Sequence, residues 1–226
     1  MGESLLSLRT SAFAAEREWE VDGVPVLSAA VQVPEPLDKV PRRIKRFYRL
    51  QCRAFLRYCE RTLLPQAAAE YHSAAAASRP LPFFRAELDY QVTYNEGGLW
   101  SLYTQTREST APGRTLLTRR GDTWDLAAGY PVPLRDFFPA GTAWKKRLLD
   151  HAAAELERRE RAGVGRWRED WRKQLRKSFN SQNFYLTADG LAFFYPMYAI
   201  APASEGIPVF LLPYDAGVAL ERAEKP

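Results

Sequence analysis

Asn183-Phe184-Tyr185-Leu186-Thr187 and Leu191-Ala192-Phe193-Phe194-Tyr195 gather more β-forming apolar surface into a few residues than any other stretch of the 226-residue chain. Aromatic side chains dominate both runs, and such residues favour a pleated, buried surface. Between them lies Asp189-Gly190, a dipeptide suited to a two-residue hairpin turn because both turn positions need positive φ. The spacing predicts a β-hairpin over Asn183–Tyr195. A last apolar run, Ile207 to Leu212, follows the Pro- and Ala-containing Tyr198–Gly206 and closes at Pro213-Tyr214. The rest of the chain is expected to pack around this sheet.

Taken from the start, the first 18 residues read as a lead-in, weakly ordered or helical. Trp19 to Val33 reads as strand, turn, strand, with the turn at Asp22-Gly23 and a stop at Pro34-Glu35-Pro36. From about Asp38, Val40, Ile44, Phe47, Tyr48, Cys52, Phe55, Leu56, Cys59 and Leu63 recur at three- and four-residue spacing, which predicts an amphipathic helix. Its other face carries Arg42, Arg43, Lys45, Arg46, Arg49, Arg53, Arg57 and Arg61, a pattern that is more often solvated surface than binding patch. Pro65 is expected to kink or end the helix, because it lacks the amide and clashes with the preceding turn. The alanine-rich Gln66–Ala77 continues as a second helical piece.

Phe84, Ala86, Leu88, Tyr90, Val92 and Tyr94 then alternate with Arg85, Glu87, Asp89, Gln91, Thr93 and Asn95, the mark of a half-buried antiparallel strand. Asn95-Glu96-Gly97-Gly98 turns it into Leu99–Glu108. A loop around Ala111-Pro112-Gly113 leads to Thr115–Arg119, and Gly121-Asp122 is expected to turn into Thr123–Ala127. Pro133–Pro139 ends this meander with an apolar plug. Helices return over Thr142–Ala162 and, after the joint Gly163-Val164-Gly165, over Trp167–Phe179. The sum is α+β: an antiparallel sheet, meander plus C-terminal hairpin, with helices packed to one side, in one domain over 19–226.

The net charge of +5 permits an anionic partner, although charge alone argues little for nucleic acid. No run of about 18 apolar residues could span a bilayer, and Ser7 and Arg9 interrupt the only leader-like leucines. Read as complete, the chain would stay in the cytoplasm. Cys52 and Cys59, seven residues apart on one helix, are separated by about 10.5 Å of rise and cannot pair there. They read as small buried apolar side chains.

Several pieces together resemble the bacterial domain family of RsiV-type anti-sigma factor ectodomains, which also accompanies PdaC-type peptidoglycan deacetylases. They are the Tyr90–Tyr103 hairpin with Gly97-Gly98, the Leu134-Arg135-Asp136-Phe137-Phe138 plug, Asn183–Thr187, and Tyr198-Ala199-Ile200-Ala201-Pro202 followed by Gly206 and Leu212-Pro213-Tyr214. The resemblance spans roughly residues 84–214. It implies an α+β binding module rather than an enzyme, often extracytoplasmic, whose anti-sigma members bind lysozyme. The basic balance of this chain would repel a cationic lysozyme rather than steer it in.

A search for chemistry gives no catalytic constellation, metal set or cofactor motif. Only His72 and His151 could serve as proton acceptors of a triad, and neither lies beside a nucleophile elbow. Two histidines are few for a metal hydrolase, and no phosphate-binding loop is present. Glu155, Glu157, Glu160, Glu169 and Asp170 lie among arginines as surface ion partners. The strongest partner-facing feature is the basic stretch from Arg166 to Lys177. Trp167, Trp171 and Leu175 are expected on one helix face, with Arg168, Arg172, Lys173, Arg176 and Lys177 free for an acidic protein or an anionic wall polymer such as peptidoglycan. Tyr198, set among Pro and Ala, either caps the sheet or faces a ligand. The sequence thus supports a binding or sensing domain first, a polymer-binding accessory module second and an unrecognised hydrolase third.

Overall fold

The structure, a computed structural model, describes residues 7–111 and 114–220. Asp22 and Gly23 both take positive φ, 53° and 77°, and close the hairpin of β1 (Thr10–Val21) and β2 (Val24–Pro36). From Thr10 onward, therefore, the expected lead-in is an edge strand, held by its full-length register with β2. Residues 1–6 of that lead-in lie outside the described residues. β2 takes in Pro34 and Pro36 among its last residues and ends at Pro36, inside the expected stop. Both prolines are tolerated because β3 pairs with β2 only at Leu27–Val31, so the proline end of β2 has a partner on one side alone.

The helix predicted from residue 38 is α1 (Arg42–Tyr58), and it runs through a π turn (Cys59–Leu63) into α2 (Leu64–Ala76). Pro65 neither ends the helix nor leaves a broken turn. In the widened turn the Leu64 amide reaches back to the Cys59 carbonyl, and the local distortion lets the helix carry the proline ring. Ile44, Tyr48, Cys52, Phe55, Cys59, Leu63, Ala67, Tyr71 and Ala74 form one buried seam along its length. That seam packs on a five-stranded sheet of order β1-β2-β3-β4-β5, where β3 is Phe84–Glu96, β4 Leu99–Ala111 and β5 Arg114–Asp125. The helical crossover makes the β2–β3 pair parallel, while the other pairs are antiparallel.

β3, β4 and β5 are the expected meander, with Gly97 and Gly98 both at positive φ in the first turn. The expected loop tip at Pro112-Gly113 lies outside the described residues. Gly121-Asp122 is not a turn: β5 passes straight through both. Leu134–Phe137 is a short 3-10 turn whose Leu134 and Phe137 are buried, as the plug required.

β6 (Phe184–Leu186) and β7 (Gly190–Phe194) form the predicted hairpin, joined by β8 (Val209–Pro213). Two details differ from expectation. The turn is Thr187–Asp189, with the Thr187 amide and hydroxyl both donating to the Gly190 carbonyl, and Gly190 already lies in β7. The hairpin also belongs to a separate three-stranded sheet, not to the sheet of β3 and β4. Every residue of β6 and β7 is buried, so these strands need a packed layer on each face. Tyr185, Ala192 and Phe194 meet Tyr103 of the first sheet. Phe184, Leu186, Leu191 and Phe193 share a core with Leu148, Ala152 and Leu156 of α3 (Trp144–Arg161) and with Trp171 and Leu175 of α4 (Trp171–Lys177). The class is α+β, as expected. The layers run α1–α2, five strands, three strands, α3–α4, so helices cover both outer sides rather than one.

Cys52 and Cys59 are free and buried on the α1 seam. Burial pushes both thiols up, Cys59 from 9.0 to about 11 with a smaller contribution from Glu108. A raised folded pKa stabilises the fold below the unfolded value, and that stabilisation is lost as pH rises from about 9 towards about 11. At mildly alkaline pH both thiols of the native protein should label much more slowly than after denaturation. Fast labelling of either native thiol would contradict this packing.

Candidate functional site

Two helices of unequal length frame a basic concavity. α3 is anchored by Leu148, Ala152 and Leu156, and its His151 Nε2–H donates to the Leu211 carbonyl of β8 at 2.8 Å. α4 is anchored by Trp171 and Leu175, and the Tyr195 hydroxyl donates to the Leu175 carbonyl at 3.0 Å. Between their outer faces runs a groove. Its wider part, about 630 Å³, is bordered by Trp144, Lys145, Lys146, Leu149, Asp150 and Arg176. A narrower part of about 150 Å³ adds Ala153, Glu157, Arg172 and Leu175, and Leu149, Asp150 and Arg176 border both.

The charges in this groove do not balance. Lys146 Nζ pairs with Asp150 Oδ2 at 2.6 Å, and Arg172 with Glu157 at 3.2 Å while stacking on the Trp171 ring. Lys145 lies over the Phe179 ring. Arg176, Lys173 and Lys177 have no carboxylate partner among the described residues. Trp144 supplies the aromatic wall, stacked on Phe138 at a ring separation of 6.1 Å. The arrangement can hold carboxylate or phosphate groups against an aromatic edge.

The residues singled out in sequence fall into two groups. Arg172 and Arg176 of α4 border the groove, Arg176 in the same part as Lys145 and Lys146, whereas Lys173 and Lys177 lie on α4 outside its bordering residues. Trp167 and Arg168 do not join them, because α4 begins only at Trp171. The expected first turn is instead a loop whose Arg168 amide donates to the Ile200 carbonyl at 3.1 Å. Arg168 also pairs with Asp170 at 3.0 Å, and Trp167 is half-buried against the second core. Of the expected ion partners, Glu155 is held by Arg158 and Arg159, whose hydrogen bonds, Arg158's first, draw its pKa down.

Tyr198 lies in the loop pinned by that Ile200 contact and by Met197, whose sulfur accepts the Leu117 amide at 3.3 Å. The tyrosine is 49% exposed and has φ of 69°. A bulky residue in this region costs on the order of 1–3 kcal/mol.

Sequence reasoning missed Trp144, Lys145 and Lys146, and it missed Asp122. A second cavity, about 310 Å³, lies where β5 meets Pro131–Arg135, and Asp122 is among its bordering residues. The Asp122 carboxylate is buried, with Oδ1 accepting from Arg120 at 3.1 Å and the buried Tyr48 hydroxyl also interacting with it. Burial pushes its pKa up. The alternation of β5, with Asp122 two residues before the buried Trp124, carried the signal. No group of three or more His, Cys, Asp or Glu among the described residues is placed to hold a metal ion. No helix among them is long and apolar enough to cross a membrane. Because a raised carboxylate pKa means the charged form is disfavoured in the fold, Asp122→Asn should raise the melting temperature at neutral pH. The gain should shrink as pH falls into the usual carboxylate range. A lower melting temperature at neutral pH would show that attraction to Arg120 outweighs burial.

Fold and groove together define an α+β domain of two stacked sheets that presents a basic interhelical surface. Residues 135–215, which hold all of α3, α4 and the second sheet, match the family model described as protein of unknown function, DUF3298. The fold is similar to that of a DUF3298 family member from Bacteroides fragilis, with a TM-score of 0.67 at 16% identity, covering 94% of this chain and 93% of that one. It is also similar to a DUF3298 family protein from Pseudomonas aeruginosa, with a TM-score of 0.62 at 19% identity, covering 96% of this chain and 97% of that one. No curated protein matches the chain.

Proposed function

We propose that this chain is a non-catalytic binding domain, of the sensing kind suggested by its resemblance to RsiV-type ectodomains, and that the α3–α4 groove receives the acidic groups of its partner. The observation that carries this reading is Arg176, a guanidinium bordering both parts of the groove with no carboxylate partner among the described residues. Arg172 reinforces it from α4, and Lys145 and Lys146 from α3. A net charge of +5 steers acidic partners in and holds cationic ones, lysozyme included, away. Groups that could do acid–base work nearby are engaged elsewhere: His151 with the Leu211 carbonyl, Glu155 with two arginines, Asp170 with Arg168 and Gln174. The two parts of the groove share residues and run on into each other, which favours an extended acidic chain, such as a wall polymer, over a compact small molecule.

Replacing Arg172, Lys173, Arg176 and Lys177 with Gln should abolish binding to acidic wall fragments. The melting temperature should stay close to wild type, since exposed changes usually stay within about 0.5 kcal/mol. Trp171→Ala should instead cost about 3–5 kcal/mol, because that ring anchors α4. Binding to wall fragments, oligonucleotides and lysozyme, read at low and high salt, checks both. Wild-type protein that shows no salt-sensitive binding to any acidic polymer would remove the groove from the functional account.

A further inference from the structure

The outer layer opposite the groove carries a second unneutralised basic surface. Around the exposed face of α1, Arg42, Arg46, Arg53 and Arg57 fall within an arc of about 60° and along about 22 Å of helix. Arg61 extends the row into the π turn. All five are exposed, and none has a carboxylate partner among the described residues. Their neighbours show what satisfied arginines look like here: Arg49 pairs with Glu35 and lies on the Phe13 ring, Arg43 lies on Tyr130, and Glu60 is taken by Arg17. Leu50 lies among the unpaired arginines, 49% exposed.

We propose that α1 seats the domain on an anionic phospholipid surface. The helix is pressed along the five-stranded sheet through Ile44, Tyr48, Cys52 and Phe55, so only a shallow convex strip of it is free. Such a strip cannot enter a nucleic-acid groove as a projecting recognition helix does. Nor does the row interleave aromatic platforms on which single-stranded bases would stack. A flat charged surface asks only for several cations at one level. Arginine stems lie along the headgroup boundary, and a central leucine enters it. Each basic residue held near an anionic leaflet strengthens binding about fivefold. Docked this way, the domain turns the α3–α4 groove away from the membrane, because the two helical pairs occupy opposite outer layers. The proposal stands on its own face and does not depend on what the groove binds.

The test is co-sedimentation with vesicles of phosphatidylcholine alone and with about one third phosphatidylglycerol, at low and high salt. Wild type should bind only the anionic vesicles and be released by salt. The variant Arg42→Gln/Arg46→Gln/Arg53→Gln/Arg57→Gln should lose on the order of 100-fold or more in affinity at an unchanged melting temperature. The same four positions changed to Lys should stay within about threefold of wild type, since a leaflet reads charge and not guanidinium geometry. Equal binding to both vesicle types would overturn the proposal, as would undiminished binding of the Gln variant. A Lys variant as weak as the Gln variant, or wild-type protein that prefers an oligonucleotide to the anionic vesicles, would overturn it too.

Discussion

A Cβ at position 121 would lie 1.8 Å from the carbonyl oxygen of Phe184. The backbone of β6 therefore crosses β5 at van der Waals distance, and only glycine leaves room for it. Beside that crossing the Leu186 amide donates to the Ser101 hydroxyl at 2.8 Å, and Ser101 is itself 2.7 Å from the Thr123 hydroxyl. A buried amide without a strand partner would cost on the order of 1–3 kcal/mol, so this small polar bridge is what permits a short strand to end against another sheet. These contacts join the apolar packing of Tyr103 on Tyr185 and Phe194 in holding the two sheets together.

From that crossing the rest of the architecture follows. A three-stranded sheet buried on both faces has to be covered on its far side, and α3 and α4 do so with Leu148, Ala152, Leu156, Trp171 and Leu175. Their outer faces are left to solvent and carry the groove. On the near side Arg119 fills the space between sheets. It stacks on Tyr103 at 4.0 Å and donates to Gln105 and to the Tyr185 hydroxyl, which keeps its charge satisfied without a carboxylate. The groove is thus placed by the same core that covers the second sheet.

Local periodicity disclosed most of the elements. The alternation from Phe84 to Tyr94, the three-and-four spacing from Val40 to Leu63 and the Asp22-Gly23 turn depend on neighbours in sequence, so they survive into the structure. Gly121 did not read correctly because Gly-Asp is also a turn pair. Only the tertiary approach of Phe184 shows that the glycine serves close packing, and Asp122 was hidden by the same misreading. The basic residues of α4 were legible, whereas Trp144, Lys145 and Lys146 across the groove were not, since no local pattern tells which helix will lie beside which. The missing first turn of α4 has the same origin: the Ile200 carbonyl that captures the Arg168 amide comes from a loop 32 residues away.

Equilibrium denaturation of Gly121→Ala tests the crossing most directly, with Ser101→Ala and the double variant completing a cycle. One added methyl should destabilise the protein by at least about 2 kcal/mol, as overpacking against rigid backbone does. The two changes should also be non-additive by about 0.5 kcal/mol or more, because both act on the seat of β6. A Gly121→Ala variant within about 0.5 kcal/mol of wild type, additive with Ser101→Ala, would show that the sheets do not meet there as described.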